Sequence, residues 1–275
     1  MDNPLQKWII ATLKRWLGVR DTTPSWSVLR ECGLEPLQFN WFRAAIRLYN
    51  SFTQCNSITV RKVLQADICL SSSSCDCWSS HIINAMDGLH HASQFKLSIM
   101  NCEPIYLRQF VVDLRSRQVH FWTQFSGLSP RQRNSKHCTY HHWCALPIRN
   151  IVATQAPFQT PKYFYLALPT DVLRNVARFR LRVHTLRYET STWNQGSSSL
   201  CDLCHQDVDC IQDEKHVIFH CTHPHVVALR NKYAFLFSNQ EAQDVRNFLL
   251  QDNNKLVYFI HEIVTFYEQA SSRAF

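Results

Sequence analysis

Residues 201 to 221 read CDLCHQDVDCIQDEKHVIFHC, and four cysteines with three histidines in one short segment constrain the fold more than any other feature of the chain. Cys201 and Cys204 are separated by two residues, the spacing with which a tight turn presents two thiolates to one tetrahedral ion. Eleven residues intervene before His216 and four more before Cys221, a separation that one helical turn and its exit bring to a common point. These four ligands would make a closed Cys3His site, which holds zinc as a structural ion and leaves no position open for catalysis. Two competitors remain. Cys210 lies in the acidic loop between the two halves, and His220 stands four residues from His216 on the same helical face. Cys221 is preferred because thiolate suits zinc better than a second imidazole, and because Val217, Ile218 and Phe219 then pack inward beside the ion. His205, His223 and His225 read as solvated surface. A second cluster, HCTYHHWC at 137 to 144, matches no regular knuckle, and neither does the pair Cys75 and Cys77.

Outside this segment the periodicity is helical. Only 5 glycines occur in 275 residues, and apolar positions recur at three and four rather than at two, so the fold class is mainly α. A first helix is expected over Leu5 to Leu17. Pro24 and Gly33 bracket a short helix, WSVLREC, and Pro36 opens LQFNWFRAAIRLYNSF, whose Phe39, Phe42, Ile46 and Tyr49 share one face. The serine-rich LSSSSCDCWSS marks a boundary, followed by helices over Trp78 to Leu89 and Ile105 to Phe125 and an irregular, proline-studded connection over Ser129 to Pro169. Asp171 then caps a long basic helix reaching Arg187, and three helices follow the cysteine segment near 224 to 237, 241 to 250 and 254 to 270. The expected divisions are 1–69, 70–170 and 171–275.

Charge and cysteine usage bound the function classes. Lys and Arg number 29 against 21 Asp and Glu, a net charge of +8 that favours polyanionic partners. The amino end, PLQKWIIATLKRW, is interrupted by Lys7, Lys14 and Arg15 and does not read as a signal peptide. No stretch approaches the ~20 apolar residues that span a bilayer. The expectation is a soluble chain of the nucleus or cytoplasm, not secreted, with Cys32, Cys55, Cys69 and Cys102 as small buried hydrophobes rather than disulfide partners.

In DVLRNVARFRLRVHTLR, read as a helix, Val172, Val176, Phe179, Val183 and Leu186 fall on one side and Arg174, Arg178 and Arg182 on the other, with Arg180 and Arg187 flanking. Strict alternation from Arg178 to Val183 also permits a strand, but the longer pattern favours helix. Forked guanidinium groups suit phosphates, so these five arginines are the candidate nucleic-acid contacts. The finger loop, with Asp202, Asp207, Asp209, Asp213 and Glu214, is too acidic to grip a phosphate backbone.

The order RFRLRVHTLRYETSTW, CDLC, DEKHVIFHC and THPHVVALR resembles the zinc-binding segment that follows the polymerase domain in non-LTR retrotransposon reverse transcriptases. LKRWLGVRDTTPSWSVLRECGLEPLQFNWFRAAIRLYN is similar to the thumb-like helical region at the end of that polymerase. The resemblance covers roughly residues 8 to 53 and 172 to 237. It implies RNA or DNA as partner, Cys201, Cys204, His216 and Cys221 as zinc ligands, and the rest of such a reverse transcriptase as a further partner. It also implies a fragment, since no Tyr-x-Asp-Asp signature or other adjacent aspartate pair is present to hold the two metal ions of polymerisation, and no endonuclease set precedes it. The chain is therefore expected not to be an enzyme by itself. The main expectation is a nucleic-acid-binding accessory region using the arginine face and Lys14, Arg15 and Arg20. The alternative is a zinc-stabilised helical scaffold that binds another protein through aromatic faces such as Trp41, Phe42 and Trp122, residues that more often belong to a core.

Overall fold

A computed structural model describes residues 3–71, 76–126, 140, 142–143, 160–191, 197–204, 210–238, 244–251 and 253–273. The fold is mainly α, and among the described residues the only extended pairing is an isolated antiparallel bridge between Leu200 and Ile211. No described helix is long and apolar enough to cross a membrane. The chain divides into one unit of Glu35–Gly127 and another that joins Asp2–Leu34 to Gln159–Phe275. That division replaces the boundaries expected at 69/70 and 170/171: the amino-terminal residues to Leu34 fold with the carboxyl-terminal part, and Leu37 onward does not.

The Glu35–Gly127 unit contains α3 (Leu37–Thr53), α4 (Ile58–Ser71), α5 (Trp78–Ala85), α6 (Ala92–Met100) and α7 (Leu107–Ser126). The stripe of α3 points inward as its spacing requires: Phe39, Ile46 and Tyr49 are buried, and Phe42 meets Phe110 edge-on with centroids 4.9 Å apart. Trp41, one position round the helix from Phe42, is instead 47% exposed. The Asn50 side chain clamps the backbone ahead of α7, donating to Ile105 O at 2.7 Å and accepting from Ile105 N at 2.8 Å. The serine run at 72–75, Cys75 with it, and the side chain of Trp122 lie outside the described residues.

The second unit starts with α1 (Pro4–Leu17), capped by the Asn3 side chain and ended by Gly18 in the left-handed conformation, and α2 (Ser25–Glu31). After a 3-10 turn over Lys162–Tyr165 come α8 (Thr170–Arg180) and α9 (Arg187–Ser191). The cysteine segment contains one π-helical turn, His216–His220, and is followed by α10 (Pro224–Lys232), a 3-10 turn over Ala234–Phe237, α11 (Val245–Leu249) and α12 (Lys255–Arg273). Helix α8 is the centre of this unit, packed against α12 on one side and α1 on the other. Val176 and Phe179 join the larger core with Ile218, Val226, Phe248, Phe259 and Ile263. Ala177 and Leu181 join a smaller one with Leu17, Val19 and Val28.

The basic helix is shorter than its pattern predicts. It stops at Arg180, and Val183 N bonds back to Arg178 O at 2.8 Å while Arg182 N bonds to Phe179 O at 3.1 Å, the paired bonds of a Schellman ending. The left-handed residue of that motif is Arg182, at φ 53°, where a glycine is the usual occupant.

Candidate metal centre

The four expected ligands meet. One ligand atom each from Cys201, Cys204, His216 and Cys221 lie within 4.8 Å of one another, and Cys204 Sγ is 3.4 Å from His216 Nε2. Cys204, His216 and Cys221 are buried and Cys201 is half-buried. This group can hold one metal ion with four protein donors and no place for substrate.

Local backbone chemistry explains the convergence. Cys201 N bonds to Cys210 O at 2.8 Å and Gln212 N to Ser199 O at 2.9 Å, so the two ends of the acidic loop are zipped and the Cys201–Cys204 turn is fixed. Asp213 Oδ1 accepts from His216 N at 2.8 Å and starts the helical half. Residues five apart on an ordinary α-helix stand about 140° apart, at about 100° per residue. Cys221 N instead closes a wider turn onto His216 O at 2.8 Å, and Cys221 leaves it in extended conformation, which brings its sulfur back to the site. His220 is left exposed, and neither it nor Cys210 belongs to the four-donor group. The choice of Cys221 over His220 thus follows from the π-turn, which is not encoded in spacing alone.

A second layer braces the donors. Gln212 Nε2 donates to Cys201 Sγ at 3.5 Å. The Arg230 guanidinium forks onto the carbonyls of Phe219 and Cys221, satisfying the exit of the π-turn from α10. The buried Tyr267 hydroxyl, from α12, faces the Cys221 sulfur without reaching ordinary hydrogen-bond geometry, and burial together with the neighbouring sulfurs pushes its pKa well up. Among the thiols, a bond from Cys221 holds Cys201 far below its ordinary range and pushes Cys221 up in turn. Three thiolates so close would repel one another unless a cation shared their charge.

The arginines expected to face phosphate are placed otherwise. Arg180, 7% exposed, binds Glu31 of α2 through Nε at 2.6 Å, and Tyr163 and Tyr140 donate to the same carboxylate at 2.5 and 2.7 Å. Arg182, also 7% exposed, reaches Glu214 at 2.9 Å and Glu189, and lies over the rings of Trp143 and Tyr188. His184 Nε2 adds a contact to Glu214 at 2.8 Å; burial raises that carboxyl, but His184 and Arg182 outweigh it and hold it below its usual range. Arg178 pairs with Glu268 at 2.7 Å and Arg187 with Asp202. Arg174 alone of the five is exposed, and its Nε donates to Trp16 O at 2.9 Å. Arg180 and Arg182 are therefore internal braces unable to meet a nucleic acid, while Arg178 and Arg187 are paired but partly exposed. Lys14 leaves the surface as well, its Nζ donating to Asp21 O at 2.5 Å.

The acidic residues of the finger have structural roles to match. Glu214 is the buried counter-ion of Arg182, Asp202 pairs with Arg187 and Asp213 caps the π-turn. Residues 205–209, with His205, Asp207 and Asp209, lie outside the described residues, as do His137, Cys138, His141 and Cys144 of the second cluster. His223 caps α10 and is half-buried, whereas His225 is exposed as expected; both rings lie against Phe266. What pattern reading misses is Glu31 and Tyr267, whose partners lie far away in sequence, and Arg230, which meets main-chain carbonyls that carry no sequence signal. No protein-family model, curated protein or solved structure matches this chain, so the geometry itself carries the functional reading.

Proposed function

We propose that the chain is a zinc-stabilised, non-catalytic nucleic-acid-binding region of the kind that accompanies a non-LTR retrotransposon reverse transcriptase. Zinc is favoured by the donor set, because three thiolates and an imidazole select it over oxygen-seeking ions. The edge of a tetrahedron around zinc between sulfur and imidazole nitrogen is ~3.6 Å from ordinary bond lengths, close to the 3.4 Å between Cys204 Sγ and His216 Nε2. Three buried donors and one half-buried make the ion a clasp that fixes the cysteine segment.

One observation carries the nucleic-acid reading: α1 contains no acidic residue, exposes Lys7 and Arg15, and leads to exposed Arg20, with Arg174 laid against its last turn. The buried carboxylates Glu31, Glu189 and Glu214 are matched by Arg180 and Arg182, so the excess of positive charge is left for the surface. The retrotransposon reading is supported by the motif order; of the first resembling segment, the part up to Leu34 shares a unit with the second and the part from Glu35 does not.

Two experiments test the proposal. Elemental analysis of the purified protein should find one zinc per chain, absent from the Cys201→Ser/Cys204→Ser variant; zinc retained by that variant refutes the site. Fluorescence anisotropy with labelled RNA and DNA oligonucleotides should show affinity falling steeply with salt, and Arg15→Glu/Arg20→Glu should flatten the slope by about one for each phosphate no longer neutralised. An unchanged slope counts against this surface.

A second reading has its own observation. In the Glu35–Gly127 unit an apolar groove of about 380 Å³ is lined by Phe52, Val60, Val63, Leu64 and Trp78, with Ile58 exposed on the same helix as Val60, Val63 and Leu64. That surface suits a protein ligand. A partner captured by the chain after nuclease treatment and in high salt would favour this scaffold role.

A further inference from the structure

We propose that the outer face of α1 is a stacking platform for single-stranded nucleic acid, with Trp8, Trp16 and Tyr165 as the rings that take bases. The proposal rests on the nucleic-acid reading above and names both the form of nucleic acid and the groups that select it.

The rings are displayed rather than buried. Trp8 is 64%, Trp16 44% and Tyr165 78% exposed. Helix α1 turns Gln6, Ile10, Lys14 and Leu17 inward. With about 100° per residue, and Trp8 taken as zero, Arg15 falls near −20°, Thr12 near +40° and Trp16 near +80° on the opposite face. Two indoles therefore share one exposed arc, with Thr12 inside it and the Arg15 guanidinium at its edge beside Trp8. Eight residues at 1.5 Å each separate them by about 12 Å along the axis, a span of about three bases at the 3.4 Å repeat of one strand.

Trp16 is also held in place. Its ring stacks on Phe164 at 5.7 Å, Phe164 stacks on Tyr163 at 4.5 Å, and the Trp16 carbonyl takes the Arg174 Nε–H. Tyr165 follows Phe164 in the same 3-10 turn. A pre-oriented ring loses little freedom when a base stacks on it. Bases in a duplex already have both faces covered by their neighbours, whereas an unpaired strand offers a face to each ring. Arg15 beside Trp8 and Arg174 beside Trp16 meet the backbone charge next to the stacked bases.

A lipid surface fits this face less well. Helices that lie in a membrane interface keep their basic residues on the polar face and their aromatic residues on the other. Here Arg15 stands about 20° from Trp8 and Thr12 lies within the aromatic arc, so basic, polar and aromatic residues share one face.

The test uses the full chain with labelled short single strands, the matching duplex and anionic phosphatidylserine vesicles. Trp8→Ala and Tyr165→Ala change exposed side chains, and circular dichroism verifies that the variants fold. Each should weaken single-strand binding roughly 10-fold, with the slope of affinity against salt unchanged because the phosphate contacts remain. Trp8→Phe should recover most of the loss, and duplex binding should hardly move. If Trp8→Ala, Trp16→Ala and Tyr165→Ala leave single-strand affinity intact while the chain still binds in a salt-dependent way, the platform is refuted and the nucleic-acid reading stands. Equal losses for duplex and single strand refute it too. Binding of no oligonucleotide overturns both readings, and vesicles engaging Trp8 where oligonucleotides do not would assign the face to lipid.

Discussion

Neutralising Glu31 should destabilise the unit that joins the two ends of the chain. Its carboxylate is fully buried and accepts four bonds: Arg180 Nε at 2.6 Å, Arg180 Nη2 at 3.3 Å, Tyr163 Oη at 2.5 Å and Tyr140 Oη at 2.7 Å. Glu31→Gln keeps the shape but removes the counter-charge from a guanidinium that is itself buried. Breaking one side of such a pair costs about 3–5 kcal/mol, because the remaining charge has lost its hydration and is poorly repaid. With a urea slope of about 2–3 kcal/mol per molar, the unfolding midpoint should fall by about 1–2.5 M. The pair as a whole stabilises far less than that figure, since both ions were desolvated to form it. Glu31→Gln combined with Arg180→Met should therefore cost less than the sum of the two single changes. The assay is urea unfolding followed by circular dichroism with the metal retained. A cost below about 1 kcal/mol for Glu31→Gln, or strict additivity in the double variant, would refute the reasoning.

Gly33 and Gly18 both have positive φ, yet alanine should be far worse at Gly33. A Cβ there would stand 2.1 Å from Thr160 Oγ1 and 2.7 Å from Thr160 N, whereas at Gly18 its nearest neighbour is the flexible Arg174 side chain at 3.4 Å. Gly18→Ala should cost about 1–2 kcal/mol from left-handed strain alone, and equal thermal midpoints for the two variants would contradict this. Tyr267→Phe should weaken metal binding by about 10- to 100-fold through loss of the hydroxyl facing Cys221, measured by competition with a chromophoric chelator; an unchanged affinity would remove Tyr267 from the site. At Glu262, burial raises the carboxyl, but hydrogen bonds from Lys232 and Tyr233 outweigh it and hold its pKa below the usual value. A carboxylate depressed in the folded state contributes stability above its unfolded pKa and loses it as pH falls through the folded one. Glu262→Gln should accordingly narrow the difference in unfolding free energy between neutral and acid pH, by less than about 1 kcal/mol for so exposed a pair, and a wider difference would reverse the sign assigned to it.

Much of the architecture is legible in the sequence because it is local. The bounds of α1, α2 and α3 follow from Pro4, Gly18, Pro24, Gly33 and Pro36, whose backbone preferences act within one turn. The inward stripe of α3 follows from the period of the helix. The long basic helix departs from its pattern for the opposite reason. Nothing between Phe179 and Val183 ends a helix by propensity, and a left-handed conformation at Arg182 is unfavourable in isolation. The ending stands because Glu189 and Glu214, brought from later segments, hold the guanidinium where that backbone places it.

The sequence by itself determined that the chain is helical and that Cys201, Cys204 and His216 share one site, because helical period, glycine and proline punctuation and thiol spacing are short-range quantities. Tertiary structure decided the rest. It supplied the π-turn that brings the preferred Cys221 rather than His220 to the site, paired Arg178, Arg180, Arg182 and Arg187 with carboxylates, and joined residues up to Leu34 to the carboxyl-terminal part rather than to α3. A charge on an amphipathic pattern carries no record of what it will meet. Whether an arginine faces water or a buried glutamate depends on segments more than a hundred residues away, as with Arg180 and Glu31.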